Sequence, residues 1–467
     1  MNGAIQVKVG EALIHARVMV HENRSLSPID VNSLQTLIDA VELLMIRAGL
    51  NSDNSSLPPS KDPYRIKRKR GTVGIKRKPG GQKGHPGSTL TPVDNPNEIE
   101  EININKATLP PDFYRQVGYE ARQVFDIQMS VLVKEYRAEV VENQAGEQWV
   151  AQFPEGVTQP AQYGSHTKAT SVYLSIYQLI PLDRVRQYFF DQADLALSKG
   201  SVANFNQEAS DKLDTFEVWV KKQILAASNL HADETGINIG GEGAWLHTLS
   251  NDKVTWLQHD KRRGPEAMER IGLLPHFKGN LIHDHWKSYF QYAAKHTLCN
   301  AHHLRELEWA AQFENQAWAK QMKELLIEIN AQEQEIPLSQ QAAYEERYRA
   351  ILKAGETECP VTPKLSPKRG RIKKSKSRNL LERLQAFEAE TLRFMREPDV
   401  PFTNNQGERD LRMAKVQQKI SGCFRSENGA RTFFRVRSYL ATCQKQGVNP
   451  MLALKLLFNG ELPPFMT

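Results

Sequence analysis

Residues 226–260, AASNLHADETGINIGGEGAWLHTLSNDKVTWLQHD, break into apolar and β-branched runs divided by turn residues. Segment 226–231 reads as a strand with Asp233 at its end, and 235–239 carries on with further β-branched residues. Gly240, Gly241 and Gly243 make a turn, and 245–249 and 254–259 read as the next two strands. Segment 265–271 opens on Pro265 and is closed by Gly272, the punctuation of a short helix. Residues 279–283, GNLIH, then form a short buried strand that stops at Asp284.

Three sequential strands, a helix, a fourth strand and later helices follow the chain order of an RNase H-like α/β domain, a mixed sheet flanked by helices. In such a sheet the first and fourth strands are neighbours, so Asp233 and Asp284 can converge on one spot. A third acid comes from PFTNNQGERDLRMAKVQQKISGCFRS, residues 401–426. There the spacing predicts a helix over 406–418, with Asn404 and Asn405 suited to cap it and Glu408 in its first turn. Taken singly, an aspartate after a strand is a turn residue or cap, and Glu408 is an ion-pair partner for Arg412 one turn on. Taken together in this order, Asp233, Asp284 and Glu408 offer the oxygen ligands that Mg²⁺ or Mn²⁺ takes alongside water and substrate phosphate. Glu234, adjacent to Asp233, is the rival acid, and alternation along a strand points it to the other face. Arg409, Arg412, Lys415 and Lys419 share the Glu408 helix and suit phosphate contacts. His231 and His285 flank the aspartates, either to orient ligands or as structural residues.

Between the fourth strand and the Glu408 helix, residues 299–398 are helical by pattern, a helical insertion interrupted by a basic stretch. That stretch, residues 364–378, carries eight Lys/Arg and no acid, and residues 61–83 carry ten against one Asp. Either excess is larger than the net charge of +7, so the remainder is neutral to acidic. Paired basic arms, including Lys67, Arg68, Lys69 and Arg70, point to a polyanion bound without sequence specificity. The four cysteines, Cys299, Cys359, Cys423 and Cys443, are scattered, which is a reduced intracellular pattern. Cys299 and His302 make a C-x-x-H that cannot fill a zinc site alone, so a helix-packing role is expected. No apolar run approaches the ~18 residues of a membrane span, and no secretory leader is read at the N-terminus.

The 467 residues divide as follows. Residues 1–50 hold a zipper-like amphipathic helix, readable as a dimer seam or as packing within its own domain, and 51–90 form a basic linker. Residues 91–165 make a small β-containing domain, with alternation at 98–104 and 130–141. Residues 166–223 give three helices spaced as in a helix-turn-helix, a pattern also met in proteins that never touch DNA. Residues 224–298 are the first part of the sheet domain, 299–398 the insertion, and 399–467 the Glu408 helix and C-terminal helices.

HADETG, IHDHWKSY, VPFTNNQGERDLRMAKVQQKISGCFRS and GARTFFRVRSYLATCQKQG resemble the insertion-sequence-66 family of DDE transposases, as do NSDNSSLPPSKD and GGQKGHPGSTL upstream. The resemblance runs from about residue 27 to the end. It implies that Asp233, Asp284 and Glu408 are the catalytic triad of a divalent-metal-dependent transposase that cleaves transposon ends and transfers the strand. It also implies double-stranded DNA as partner, at least a dimer, accessory proteins of the same element, and a cytoplasmic, nucleoid-associated setting. A family cysteine module is missing, since 91–165 lacks cysteine, so no zinc is expected. The alternatives are a non-catalytic DNA-binding regulator and an RNase H-like nuclease without strand transfer.

Overall fold

The computed structural model describes Leu34, Leu37 and residues 90–105, 108–292, 294–332, 335–360 and 374–466. The chain falls into two compact units, one of Met1–Ser52 with Leu57–Leu132, the other of Asp53–Ser56 with Val133–Thr467. In the first, Leu34 and Leu37 are helical and exposed, and the remainder of the zipper-like stretch lies outside the described residues. Residues 98–104 do not form the expected strand. They are exposed and join no strand ladder. Alternation encodes a strand only where another strand can accept its hydrogen bonds and a second layer can cover its apolar face.

The second unit begins with a small hairpin, β1 (Val140–Glu142) paired with β2 (Gln148–Val150), which is all of the expected 130–141 strand that forms. Helices follow: α1 (Ser165–Val172), continued by a π-helical turn at Tyr173–Tyr177, α2 (Leu182–Ala193), α3 (Lys199–Asp211) and α4 (Asp214–Ala226). Ser198 caps α3 by accepting the Ser201 N–H. The sheet comprises β3 (Asn229–Ile239), β4 (Glu242–Ser250), β5 (Thr255–Asp260), β6 (Asn280–His283) and β7 (Lys295–Leu298) in the order β5-β4-β3-β6-β7. β3, β4 and β5 pair antiparallel, whereas β3–β6 and β6–β7 are parallel. Gly240 and Gly241 close the β3–β4 hairpin, both at positive φ, as a two-residue turn of primed type needs. Helix α5 (Pro265–Ile271) crosses from β5 to β6.

The insertion comprises α6 (Asn300–Phe313), α7 (Ala317–Asn330), α8 (Leu338–Glu358), α9 (Lys376–Ala386) and two single turns, α10 (Glu388–Thr391) and α11 (Arg393–Arg396). It builds its own core around Trp318, Tyr348 and Leu381. The chain then enters α12 (Asn405–Ser421), α13 (Glu427–Lys445) and α14 (Pro450–Asn459). The second basic stretch is not wholly a free arm. Arg378 is buried and paired with Glu356 and Glu382, Lys374 also pairs with Glu382, and Lys376 lies over the Trp309 ring. Among the described residues no helix is long and apolar enough to cross a membrane.

One core joins helices α1–α4, the sheet and α12–α14. Phe216 of α4 meets Tyr439 of α13 edge-on at 5.2 Å. The outer edge of β5 is closed by α13, whose Thr442 and Ser438 hydroxyls accept the Thr255 and Leu257 N–H groups at 3.0 and 2.9 Å. Edge N–H groups that would otherwise template aggregation are thereby satisfied. Phe216→Ala is expected to remove about 3–5 kcal/mol of unfolding free energy. In hydrogen exchange the helices at 165–226 should open together with the sheet, and separate melting would contradict a shared core.

Candidate active site

The parallel register of β3 and β6 sets the two aspartates side by side. Asn229 pairs with Asn280, Leu230 with Leu281 and His231 with Ile282. Two residues further on, Asp233 stands level with Asp284, the first residue past β6. Asp233 is not at the end of its strand, as expected, but inside it: β3 runs on to Ile239, with Asp233 opposite Thr248 of β4. Antiparallel pairing with β4 sustains β3 after the shorter β6 has stopped. Past the His231–Ile282 pair β3 has no strand partner on that side, which leaves a gap in the ladder beside Asp233.

The first turn of α12 covers this gap. Gly407 is buried, and a Cβ there would sit 3.3 Å from the Asp233 Cβ and 3.2 Å from the Asn404 Oδ1. Glycine permits the helix to come this close. The next residue, Glu408, has its Oε1 3.7 Å from His302 Nε2 of α6. Its neighbour among the described residues is thus the His302 imidazole, and it forms no ion pair with Arg412. Burial pushes the Asp233 carboxyl up to about 8, Glu234 adds to this, and Asp284 and Glu408 push further the same way. The three distant acids share one electrostatic field.

Backbone donors orient two of them. Asp233 Oδ1 accepts the Glu234 N–H at 2.9 Å, and Asp284 Oδ1 accepts the Trp286 N–H at 2.9 Å. Glu234 is committed elsewhere, its side chain only 1% exposed. Its Oε1 accepts from Arg263 Nη2 and Nε at 2.6 and 2.9 Å, and the Tyr289 hydroxyl donates to its Oε2. The Arg263 guanidinium lies 4.8 Å from the Trp245 ring centre and 4.3 Å from that of Trp286. Burial raises the Glu234 carboxyl, and Tyr289 and Arg263 oppose the rise.

The insertion supplies neighbours of the acids: His302, expected only to pack between helices, and Arg383, which the sequence pattern does not single out. His302 lies within electrostatic reach of Glu408 and Asp284, and burial holds its imidazole below the ordinary range. Arg383 of α9 is within reach of Asp284, and burial lowers its guanidinium. Burial also drives His283 down to about 3 and His285 to about 4, so both rings are neutral at pH 7. His285 packs edge-on against Phe387, with ring centres 4.4 Å apart. Cys299 is a packing residue, its Sγ accepting the Asn404 N–H at 3.1 Å. Asn404 occupies the N-cap position of α12, yet its side chain makes no capping bond; it turns inward to β3 instead.

Of the cations on α12, Arg409, Arg412 and Lys419 are exposed and form no ion pair among the described residues. Lys415 is half-buried and donates to the Gly236 carbonyl of β3. Lys67, Arg68, Lys69 and Arg70 lie outside the described residues. Among the described residues no group of three or more His, Cys, Asp or Glu is drawn together tightly enough to hold an ion unaided. Oxygen donors with surplus negative charge nonetheless suit a hard divalent cation, which keeps several waters and uses substrate phosphates as further ligands.

The model of the transposase family IS66 matches residues 160–432 of the chain. No curated protein matches it. Among solved structures, a chain of the simian T-cell lymphotropic virus intasome in complex with PP2A regulatory subunit B56 gamma is similar over 44% of this chain and 80% of that one. The identity is 13% and the TM-score 0.14, a likeness too low to carry an argument.

The Asp233 shift has a consequence for stability. From about pH 4, where the unfolded chain releases this proton, to about pH 8, where the folded one does, the folded state binds more protons. Stability therefore falls as pH rises through that window and levels off above it. With divalent cations chelated, Asp233→Asn should be more stable than the parent at pH 8 by more than about 1 kcal/mol. The difference should vanish near pH 4. Equal denaturant midpoints at pH 8 would contradict the shared-field description.

Proposed function

We propose that this chain, which belongs to the IS66 family of transposases, cuts and joins DNA at the site formed by Asp233, Asp284 and Glu408. The observation that carries this reading is the juxtaposition of Asp233 on β3 with Asp284 just past the parallel neighbour β6, under the first turn of the Glu408 helix. The order β5-β4-β3-β6-β7, antiparallel on one side and parallel on the other, supports an RNase H-like assignment for the sheet.

In this reading Asp233, Asp284 and Glu408 hold divalent cations, Mg²⁺ or Mn²⁺. When bound, such ions lower the pKa of an attacking water or hydroxyl and stabilise the leaving oxygen. The residues themselves do the rest. The Glu234 and Trp286 backbone N–H groups aim the aspartates. Neutral His283 and His285 add no competing positive charge beside the acids. Arg409, Arg412 and Lys419 hold duplex phosphates next to the acids, which positions the scissile bond without reading sequence. Water displaces the 3′ oxygen of one phosphodiester at the element end, leaving a 3′-hydroxyl and a 5′-phosphate. That hydroxyl then attacks a target phosphodiester, forming one P–O bond as another breaks. Joining two ends requires two sites, so at least a dimer acts. The helices at 165–226 and the basic linker at 51–90 help to hold the ends.

Asp233→Asn, Asp284→Asn and Glu408→Gln should each reduce Mg²⁺-dependent cleavage of the element's own ends by at least about a thousandfold, with DNA binding retained. Undiminished cleavage in any one would remove that residue from the site. Strand transfer from pre-cleaved ends separates a transposase from a simple nuclease, and activity indifferent to all three changes would indicate a non-catalytic DNA binder. Arg412→Ala should weaken binding evenly across sequences and lower the salt slope of log K by about 1. An unchanged slope would take this residue off the DNA.

A further inference from the structure

Asn404 is 1% exposed, and every polar group it has is bonded. Its Nδ2 donates to the Ala232 carbonyl at 2.8 Å, and Ala232 directly precedes Asp233. Its Oδ1 therefore accepts, and the partner is His231 Nδ1 at 2.8 Å. Its backbone carbonyl accepts the Glu408 N–H at 3.3 Å, the first bond of the helix that carries this acid. Its backbone N–H donates to Cys299 Sγ at 3.1 Å. Cys299 in turn donates its own N–H to the His283 carbonyl at 2.9 Å, and His283 directly precedes Asp284. From this one residue, short bonded paths lead to the backbone next to each of the three acids.

We infer that Asn404 is the positioning residue that sets the spacing of Asp233, Asp284 and Glu408, an inference that rests on the function proposed above. An asparagine before a helix is ordinarily explained as a cap. Here the side chain leaves the N–H groups of α12 alone and spends both polar atoms on β3. Gly407 completes the device, because a Cβ at that position would press on the Asn404 amide at 3.2 and 3.4 Å and on Asp233 at 3.3 Å. Removing either feature lets the Glu408 turn drift from the sheet while the acids themselves remain. A cap is a matter of helix stability; a spacer is a matter of how well three carboxylates serve one cation.

The test uses the full chain bound to a duplex of the element's own end, titrated with Mn²⁺ by electron paramagnetic resonance, alongside helical circular dichroism, DNA binding and Mn²⁺-dependent cleavage. Asn404→Ala should raise the Mn²⁺ midpoint about 10–100-fold, the range seen when the partners that orient metal ligands are lost. Gly407→Ala should shift it in the same direction even though alanine favours helix, with fold and DNA binding retained. The glycine variant decides the matter if Asn404→Ala does not fold. Unchanged Mn²⁺ midpoints in the folded variants, with only thermal stability lowered, would reduce Asn404 to a local packing residue and overturn the inference. Asp233→Asn and Glu408→Gln serve as controls. If the parent shows no Mn²⁺ binding that these abolish, the proposed function falls and this inference falls with it. If the controls respond and the Asn404 and Gly407 variants do not, this inference alone falls.

Discussion

Asp233, Asp284 and Glu408 are distant in the chain yet lie within electrostatic reach of one another, and the bonds around them fix the elements on which they stand. The Asp233 carboxyl keeps its proton up to about 8, through burial first and then through Glu234, Asp284 and Glu408. Left alone, such groups would separate or admit water until their charges were screened. They do not separate, because each is mounted on an element fixed by something stronger. Asp233 lies within a central strand bonded on one side to β4 along its length. Asp284 follows the buried β6, flanked by β3 and β7.

Glu408 is the acid with the least direct support from the sheet, and α12 is tied down at several points. Lys445 of α13 donates to Asp410 at 2.8 Å and to the carbonyls of Asn251 and Val254 at the β4–β5 turn. An ammonium buried with three oxygen partners holds geometry better than it adds stability, since desolvation offsets much of its attraction. Lys415 reaches Gly236 on β3, and after the helix Phe424 exchanges backbone bonds with Asn238 and Gly240 at 2.9 and 2.7 Å. The cations facing outward, Arg409, Arg412 and Lys419, are those spared from this anchoring. One helix thus divides its positive charge between holding itself to the sheet and remaining exposed.

The sheet was legible because its strands are short, β-branched and separated by glycine turns, and α5 was marked at both ends by Pro265 and Gly272. The length of β3 was misjudged because Asp233 and Glu234 interrupt an apolar pattern; polar residues inside a strand are tolerated where a neighbour ends and a site opens. β7 was missed because KHTL has too little apolar content to stand out, and it is a strand only because β6 offers it an edge. The alternation at 98–104 misled for the opposite reason, a good pattern without a partner. Local propensity, all that sequence spacing can weigh, makes Asn404 a cap, while the partners that claim its side chain stand 173 and 172 residues away. Arg378 belongs by sequence to a basic stretch, but its guanidinium is taken up by Glu356 and Glu382.

By itself the sequence determined the kind of protein: the order of β3 to β6 and the helices around them, three acids on or just after these elements, and a basic helix around the last. These follow from local chemistry, since turn residues, β-branched runs and charge spacing act over a few residues. Only the tertiary structure decided what the acids have for neighbours. It brought His302 and Arg383 in from the insertion, withdrew Glu234 into an ion pair and turned Asn404 from a helix end toward the sheet. Those outcomes depend on hydrogen bonds and charges that meet across 29 to 173 residues of chain, where free energy is set by which groups are buried together rather than by their order along the backbone.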